Sequence, residues 1–481
     1  MESINYDDPK IFKMIQKRHT DGIFQIESNL FKGLIGDIVP DKFSDIVAIT
    51  SIGRPGPLSA NMHSMYADRK HGFKEATEPV KNTWDIVGDS FGTIIYQESI
   101  MKIAQRVANF DDNQVDSFLR KSIAKKKKAL MDLCKQWFAY GKVNEAPPEG
   151  YDETNIHQPY YDPEGKYGKA IPGGANNNYN PLKLIEFFES LEGYSEYLFN
   201  KSHACSYSLL TLATAYLKCY HPAEFISAVL SIQATDNESI NQYVKVARNQ
   251  LKLKVTCPHI NKSGRYFTPN AKEKEIIYGL SSVKGLGAAK LDVILENQPY
   301  DSLEDATERL PKNIFNKTVG ENLIKAGAFD FENPNRYEML NKFYDLRKIK
   351  NDRMDPAKFT EQTYIDMETE IIGSPITFQP WWDMIQPGTK LKNETMKIVS
   401  VNERKDKNGR LMAFAMMECE NSNFEAIIFS SKYGKINHLF HPGSYVSVSG
   451  KKDEKEKLIL DTAKETENSI KRSKVKILDI L

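Results

Sequence analysis

The sequence is poor in cysteine and has almost no net charge. Cys134, Cys205, Cys219, Cys257 and Cys419 are five among 481 residues, and no two are spaced as C-x-x-C. That excludes a disulfide framework and a zinc ribbon and suits a reducing compartment. No run of about 18 apolar residues occurs, so no transmembrane helix is expected. The start, Met1 to Asp8, is polar and acidic, unlike a signal peptide. Lys plus Arg number 65 and Asp plus Glu 64, a net charge of +1. Bulk charge does not draw such a chain to a polyanion, so any nucleic-acid role needs local basic patches. There is no P-loop, H-E-x-x-H or G-x-S-x-G. Phosphoryl transfer with two metals needs carboxylates that hold cations roughly 3.5–4 Å apart. Asp7-Asp8 and Asp111-Asp112 adjoin, but neighbouring side chains diverge, and no Asp-x-Asp follows an apolar strand. No metal site is therefore expected in these residues. A cytoplasmic protein of two to four domains is expected, at about 100–200 residues per domain.

The pattern changes along the chain. Residues 1–140 mix helical periodicity with short loops. From Gly141 to Pro181, Gly, Pro, Asn, Asp and Tyr dominate, which predicts a long, mobile surface insertion. Ser206 to Leu230 is the most apolar helical stretch, broken at His221-Pro222, which predicts two buried helices with a corner. Residues 270–330 predict short helices with two glycine-centred turns, and 335–375 a charged helix and a connector. From about Thr389 the period becomes two. Five strands are predicted, at Met396–Val401, Met412–Met417, Phe424–Phe429, Ser444–Ser449 and Leu458–Leu460, with Asn408-Gly409 as a hairpin turn. They fit an OB-type barrel. The fold class expected is multidomain α+β.

Several segments have the chemistry to bind an anion. In Arg54-Pro55-Gly56-Pro57-Leu58 two prolines fix the backbone around Arg54; read alone, it is a stiff turn with a solvated Arg. Phe118 to Lys128 is the strongest basic cluster, and if α-helical it aligns Arg120, Lys121, Lys125 and Lys128 on one broad face. The competing reading is a solvated face neutralised by Asp111, Asp112 and Asp116. Asn200-Lys201-Ser202-His203 opens a helix, either as an anion site or as a capping segment with Ser202 as N-cap. Val283-Lys284-Gly285-Leu286-Gly287, with Lys290 beyond it, has the pattern of a helix-hairpin-helix whose glycines let backbone approach a phosphate. A weaker second unit runs from Val319 to Phe329. The barrel carries Arg404, Lys405, Lys407 and Arg410 in its first hairpin and Lys451, Lys452, Lys455 and Lys457 in its last. Phe414 and Phe424 are aromatic candidates for stacking on single-stranded bases.

In this order the segments resemble the C-terminal half of the alpha subunit of bacterial DNA polymerase III, the C-family replicative polymerase. The resemblance is carried by Gly22–Ser28, Pro40–Ala48, Arg54–Leu58, Arg69–Gly72, Tyr96–Gln105, Leu119–Lys127 and Phe199–His203. It implies a fingers domain over 1–245 with the 141–181 insertion. It implies a tandem helix-hairpin-helix or clamp-binding region over 246–380 and an OB domain over 381–481. It implies that Arg120, Lys121, Asn200, Lys201, Ser202 and His203 contact the incoming nucleotide, with Arg54, Tyr96, Gln97 and Lys125 around them. Lys284, Gly285, Gly287 and Lys290, and on the barrel Arg404, Lys405, Lys407 and Arg410, become DNA contacts. Departures are Lys121, where a second Arg is usual, and Gly53 and Leu198. The nearest match to a clamp motif is Gln362–Met367. The family's PHP domain, thumb and palm, with the aspartates that bind Mg²⁺, fall outside this sequence. The implied function is one half of a split DNA polymerase of bacterial or phage origin, working on dNTP and primer-template DNA. Its partners are a palm-bearing chain and a sliding clamp. The alternatives are a non-catalytic DNA-binding protein derived from the polymerase and a degenerate remnant.

Overall fold

A computed structural model describes residues 4–124, 128–192, 198–234, 236–420 and 422–466. The chain divides into two compact units, Met1–Tyr220 and His221–Leu481.

The first unit is built on helices. Phe43–Ile52 is apolar nearly all round, and every residue from Asp45 to Ile52 is buried, as befits the central helix of a core. Its one charge, Asp45, accepts hydrogen bonds from the Tyr66 hydroxyl at 2.7 Å and from Lys70 Nζ at 2.6 Å. Burial beside that carboxylate pushes the Tyr66 hydroxyl well above its ordinary range. Gln97–Ala108 buries Ile100, Ile103, Ala104, Val107 and Ala108 at helical spacing. Lys201–Tyr220 packs against Phe43–Ile52, with Thr50 Oγ1 and Ser208 Oγ 3.3 Å apart. The predicted break is present: Lys201–Tyr220 ends before His221, and Pro222 opens the helix Pro222–Ile232 at its first turn. The first of these helices is less buried than its apolar residues suggested, because Tyr207, Leu210 and Leu217 face outward.

The 141–181 segment corrects the expectation of a mobile insertion. It is folded. Lys142–Val143 pairs in parallel with Tyr160–Tyr161, and Lys142 exchanges backbone hydrogen bonds with Ile171 at 2.8 and 2.7 Å. The Lys142 side chain is fully buried, and its Nζ reaches Asp162 Oδ2 at 3.0 Å, Asn144 Oδ1 at 2.7 Å and the Gly168 carbonyl at 2.9 Å. Gly141 and Gly173, both at positive φ, face each other so closely that a Cβ on Gly173 would stand 2.3 Å from the Gly141 nitrogen. Turn-forming composition was read as mobility; here the same Asp and Asn side chains hold backbone N–H groups and fix the loop.

The second unit has two cores. Residues 221–245, read from sequence as the end of the first domain, contribute Ala223, Ile226, Leu230, Ile240 and Val244 to the first of them. A three-stranded sheet joins it, with Glu275–Ile277 between Lys254–Thr256 and Thr268–Asn270. Short helices follow, among them Ala288–Glu296, Leu303–Arg309, Lys317–Lys325, Arg336–Arg347 and Glu361–Ile372. The connector expected after the charged helix contains the helix Glu361–Ile372. In the clamp-like segment Ile365 and Met367 are buried, Met367 as part of this core. One buried cation organises the region. Arg336 bonds Asp330 Oδ2 at 2.7 Å, Glu368 Oε1 at 2.8 Å and the Lys325 carbonyl at 2.8 Å. Glu368 also accepts the N–H groups of Ile376 at 2.5 Å and Thr377 at 2.9 Å.

Residues 390–465 form a closed five-stranded barrel. Its strands are β1 (Lys390–Lys405), β2 (Leu411–Cys419), β3 (Ser422–Ile428), β4 (Tyr445–Lys452) and β5 (Leu458–Glu465). Around the barrel they run β1-β2-β3-β5-β4 and return to β1, with β3 and β5 parallel and the helix Ser430–Ile436 between β3 and β4. This is the OB-type order, and it bears out the α+β class.

Breaking the Arg336 network tests its weight. Arg336→Met leaves Glu368 and Asp330 without their counter-charge in a buried setting, an expected loss of about 3–5 kcal/mol. Chemical denaturation of the variant against the parent measures it; a loss under about 1 kcal/mol contradicts the assignment.

Candidate nucleotide and nucleic-acid sites

Five of the residues expected around a nucleotide meet at one place in the first unit. The chain at Ile95–Gln97 pairs with Leu198–Phe199. Phe199 N–H donates to the Ile95 carbonyl and Gln97 N–H to the Phe199 carbonyl, both at 3.0 Å. Gln97 Nε2 adds a bond to the Leu198 carbonyl at 3.1 Å. Around the Phe199 ring stand Arg54, its guanidinium 3.8 Å from the ring centroid, and His203, 5.6 Å away and packed in turn, tilted, on Tyr207 at 4.2 Å. Lys201 Nζ lies 5.2 Å from the Tyr96 ring and 3.5 Å from Asp89. Tyr96 is buried, which raises its hydroxyl well above the ordinary value. Gln97 and Tyr96 therefore hold the site together, while Arg54, Lys201 and His203 present charge and hydrogen-bonding capacity.

The capping residue is Asn200, where the sequence had suggested Ser202. Asn200 Oδ1 accepts the His203 N–H at 2.8 Å, and Ser202 stays exposed. Glu98 Oε2 accepts the Lys201 N–H at 2.8 Å. With that carboxylate at the helix start, an anion is met here by side chains more than by backbone N–H groups. Among the described residues Arg54 has no acidic partner, and its guanidinium rests over the Phe199 ring.

Arg120 and Lys121 stand apart: among the described residues no bond or ring contact joins them to the Phe199 cluster. Their segment is not one continuous α-helix: Val115–Arg120 is π-helical and Lys121–Ala124 α-helical, and the face expected of Arg120, Lys121, Lys125 and Lys128 runs on into residues 125–127, outside those described. Arg120 Nε bonds Asp116 Oδ1 at 2.6 Å, half exposed, and Lys121 is exposed. Lys125 lies outside the described residues. Of the acidic neighbours only Asp116 neutralises this face. Asp111 caps a turn through the Gln114 N–H at 2.8 Å, and Asp112 accepts from Gln105 at 2.7 Å. The other adjoining pair is likewise engaged, Asp7 with the Phe43 N–H at 3.0 Å and Asp8 with the Tyr220 hydroxyl at 2.7 Å. Among the described residues no group of three or more His, Cys, Asp or Glu is placed to hold a metal ion. Among the same residues no helix is long and apolar enough to cross a membrane.

In the second unit Lys284 and Gly285 are exposed on the turn before Ala288–Glu296. Gly285 has φ +79°, which a Lys or Leu there would adopt only under strain. Asn322 Nδ2 holds the turn by donating to the Lys284 carbonyl at 2.6 Å. Gly287 caps the helix, and Lys290 lies one turn in, half-buried. The second glycine unit differs: Gly320 lies inside Lys317–Lys325, packed against Phe343.

On the barrel, Arg404 and Lys405 end β1, and Lys407 and Arg410 flank the turn; all four are exposed. Asp406 wraps the turn, accepting the N–H groups of Asn408 at 2.8 Å and Arg410 at 3.0 Å and the Ser430 hydroxyl at 2.7 Å. The two aromatics separate. Phe414 is half-exposed on the outer face of β2, with Arg404 5.6 Å and Lys457 5.8 Å from its ring. Phe424 is not a platform: it is buried and stacked on Trp382 with centroids 3.8 Å apart. Alternation decides this, since Phe424 falls on the inward phase of β3. Lys452 is also lost as a surface cation, being buried with its Nζ on the Trp382 carbonyl at 2.8 Å.

Residues 1–146 match the family model of the bacterial DNA polymerase III alpha subunit finger domain, and residues 252–339 match a helix-hairpin-helix motif. Among curated proteins, the DNA polymerase III subunit alpha of Aquifex aeolicus is 30% identical over 96% of this chain. That of Helicobacter pylori is 33% identical over 70%, and that of Escherichia coli O157:H7 27% identical over 93%. The chain belongs to the bacterial DNA polymerase III alpha family, as a C-terminal region of that subunit. It spans 38%, 26% and 40% of the length of those three relatives.

The Asp406 carboxyl is held down to about 2, from an ordinary 3.8, by the Ser430 hydroxyl first and then by the N–H groups of Arg410 and Asn408. Its contribution to the hairpin is present above pH 3.8 and lost as pH falls through about 2. Carbon-detected NMR of the side-chain carboxyl is expected to follow that low titration; a midpoint at 3.8 contradicts the wrapped turn.

Proposed function

We propose that this chain is the nucleotide- and DNA-holding part of a DNA-directed DNA polymerase, with the metal-binding aspartates contributed by another chain. The observation that carries this reading is Arg54, a guanidinium over the Phe199 ring, near Lys201 and His203, with no acidic partner among the described residues. A cation without a carboxylate partner, seated on a ring, suits a phosphate that arrives from outside. Arg120 and Lys121 add positive charge on a second face, and developing charge on the triphosphate is what such groups stabilise. The reaction so served is attack of a primer 3′-hydroxyl on the α-phosphate of a dNTP with release of pyrophosphate. In this reading the fingers role falls to the first unit. The Lys284-Gly285 turn grips duplex backbone, and the barrel follows single-stranded template.

Primer extension tests it. The chain alone is expected to extend nothing, and addition of a polypeptide carrying the polymerase palm is expected to restore synthesis. Extension by the chain alone would sink the divided reading. In the active pair, Arg54→Ala and Arg120→Ala each remove a charged contact of about 1.5–3 kcal/mol, so kcat/KM for dNTP falls roughly ten- to a hundredfold. Unchanged kinetics remove these residues from the site.

Phe414 tests the barrel. Stacking of one base on an aromatic is worth about 1–3 kcal/mol. Phe414→Ala is expected to weaken binding of an oligo-dT strand by at least about fivefold in fluorescence anisotropy, with the melting temperature unchanged. Equal affinity means that the bases lie elsewhere.

A further inference from the structure

The folded 141–181 segment reaches the segment that carries Arg120. The contact runs through one short loop, residues 162–169. Asp162 organises it from within, its carboxylate accepting the Lys166 N–H at 3.0 Å and the Tyr167 N–H at 2.9 Å while the buried Lys142 holds the same carboxylate. The Tyr167 ring so placed meets Phe118 edge-on, with centroids 5.7 Å apart and planes at 78°, and meets Trp137 at 5.2 Å. Phe118 also packs edge-on against Trp137 at 5.9 Å. Two residues on, the Lys169 carbonyl accepts a hydrogen bond from Gln114 Nε2 at 2.6 Å. Gln114 is buried, and its Oε1 closes a capping box on the Asp111 N–H at 3.0 Å. Both contact points, Gln114 and Phe118, flank or lie within Val115–Arg120.

A π-helical turn lacks the i, i+4 ladder that stabilises an α-helix, so an isolated one relaxes readily and needs outside support. Relaxation to α-helix would rotate every residue after it by part of a turn. Here outside support comes from the loop, through Lys169 on Gln114 just before the segment and Tyr167 on Phe118 in its middle. We propose that the loop 162–169 positions the π-helical segment and thereby sets the direction in which Arg120 and Lys121 meet a triphosphate. Tyr167 and Gln114 are its positioning residues. This rests on the nucleotide-binding reading of Arg120 given above.

The test uses the 481-residue chain and dTTP. Affinity is read by calorimetry, and amide hydrogen exchange is followed at 115–120. Tyr167→Ala is expected to weaken dTTP binding about three- to tenfold, the range a lost aromatic pair supports, and to speed exchange at 115–120. Tyr167→Phe keeps the ring and is expected to keep both. Gln114→Met, which removes the hydrogen bond and keeps the volume, is expected to act like Tyr167→Ala. Faster exchange with unchanged affinity in both variants overturns the proposal, since the loop would then be structural only. Unchanged exchange overturns it as well. If Arg120→Ala itself leaves dTTP affinity unchanged, the nucleotide reading of this face falls and takes the proposal with it. If Arg120→Ala weakens binding but the loop variants do not, only the positioning role falls.

Discussion

A pair of backbone hydrogen bonds between Ile95–Gln97 and Phe199 governs the first unit's cluster of Arg54, Lys201 and His203. Two segments about a hundred residues apart in sequence are joined there, and each then opens a helix, Gln97–Ala108 on one side and Lys201–Tyr220 on the other. The junction fixes the two helix starts against each other. It also fixes the Phe199 ring, on which Arg54 lies and beside which His203 turns. Glu98 finishes the joint by taking the first N–H of the second helix. The cationic groups are thus carried on a frame whose own polar demands are met internally, which leaves their charge available to something else.

The near-zero net charge takes on meaning at this level. Most acidic side chains are engaged at structural duties: Asp45 under Lys70, Asp162 under Lys142, Glu368 and Asp330 around Arg336, Asp406 at a turn. Neutralisation of the chain as a whole therefore coexists with exposed positive ground at Arg54, Lys121, Lys284 and Arg404. Charge counted over the chain says little about charge at a face.

Much of this was readable in the sequence, and the failures share a cause. Strand number and the hairpin at Asn408-Gly409 were legible because period two and turn chemistry are local signals. The break at His221-Pro222 was legible for the same reason. Local signals did not reveal that Phe424 faces Trp382 or that Lys452 is buried, since both depend on which phase of a strand points inward. The π-helical turn at Val115–Arg120 was invisible to a reading that spaced residues at α-helical intervals. The order within 141–181 was missed because a long-range pairing, Lys142 with Ile171 and Asp162, converts turn residues into a folded unit. The segments of Arg54, Lys201 and His203 stood out in the sequence as anion candidates, but the packing of Arg54 and His203 around the Phe199 ring shows only in three dimensions. Gln114 and Tyr167 carried no sequence signal at all.

The way the barrel closes has a consequence for how it forms. Its ring is completed by β5, which lies beside β4 and, in parallel, beside β3. Until those last residues arrive, β3 and β4 are edge strands with unpaired N–H and carbonyl groups. β3 carries Phe424, Ala426 and Ile428 on its inward side, without a covering neighbour at that edge. Open, apolar strand edges recruit other strands. A chain cut or stalled before Leu458 therefore exposes a surface prone to self-association, and completion of the final strand is what makes this end of the molecule safe to release into a crowded solution.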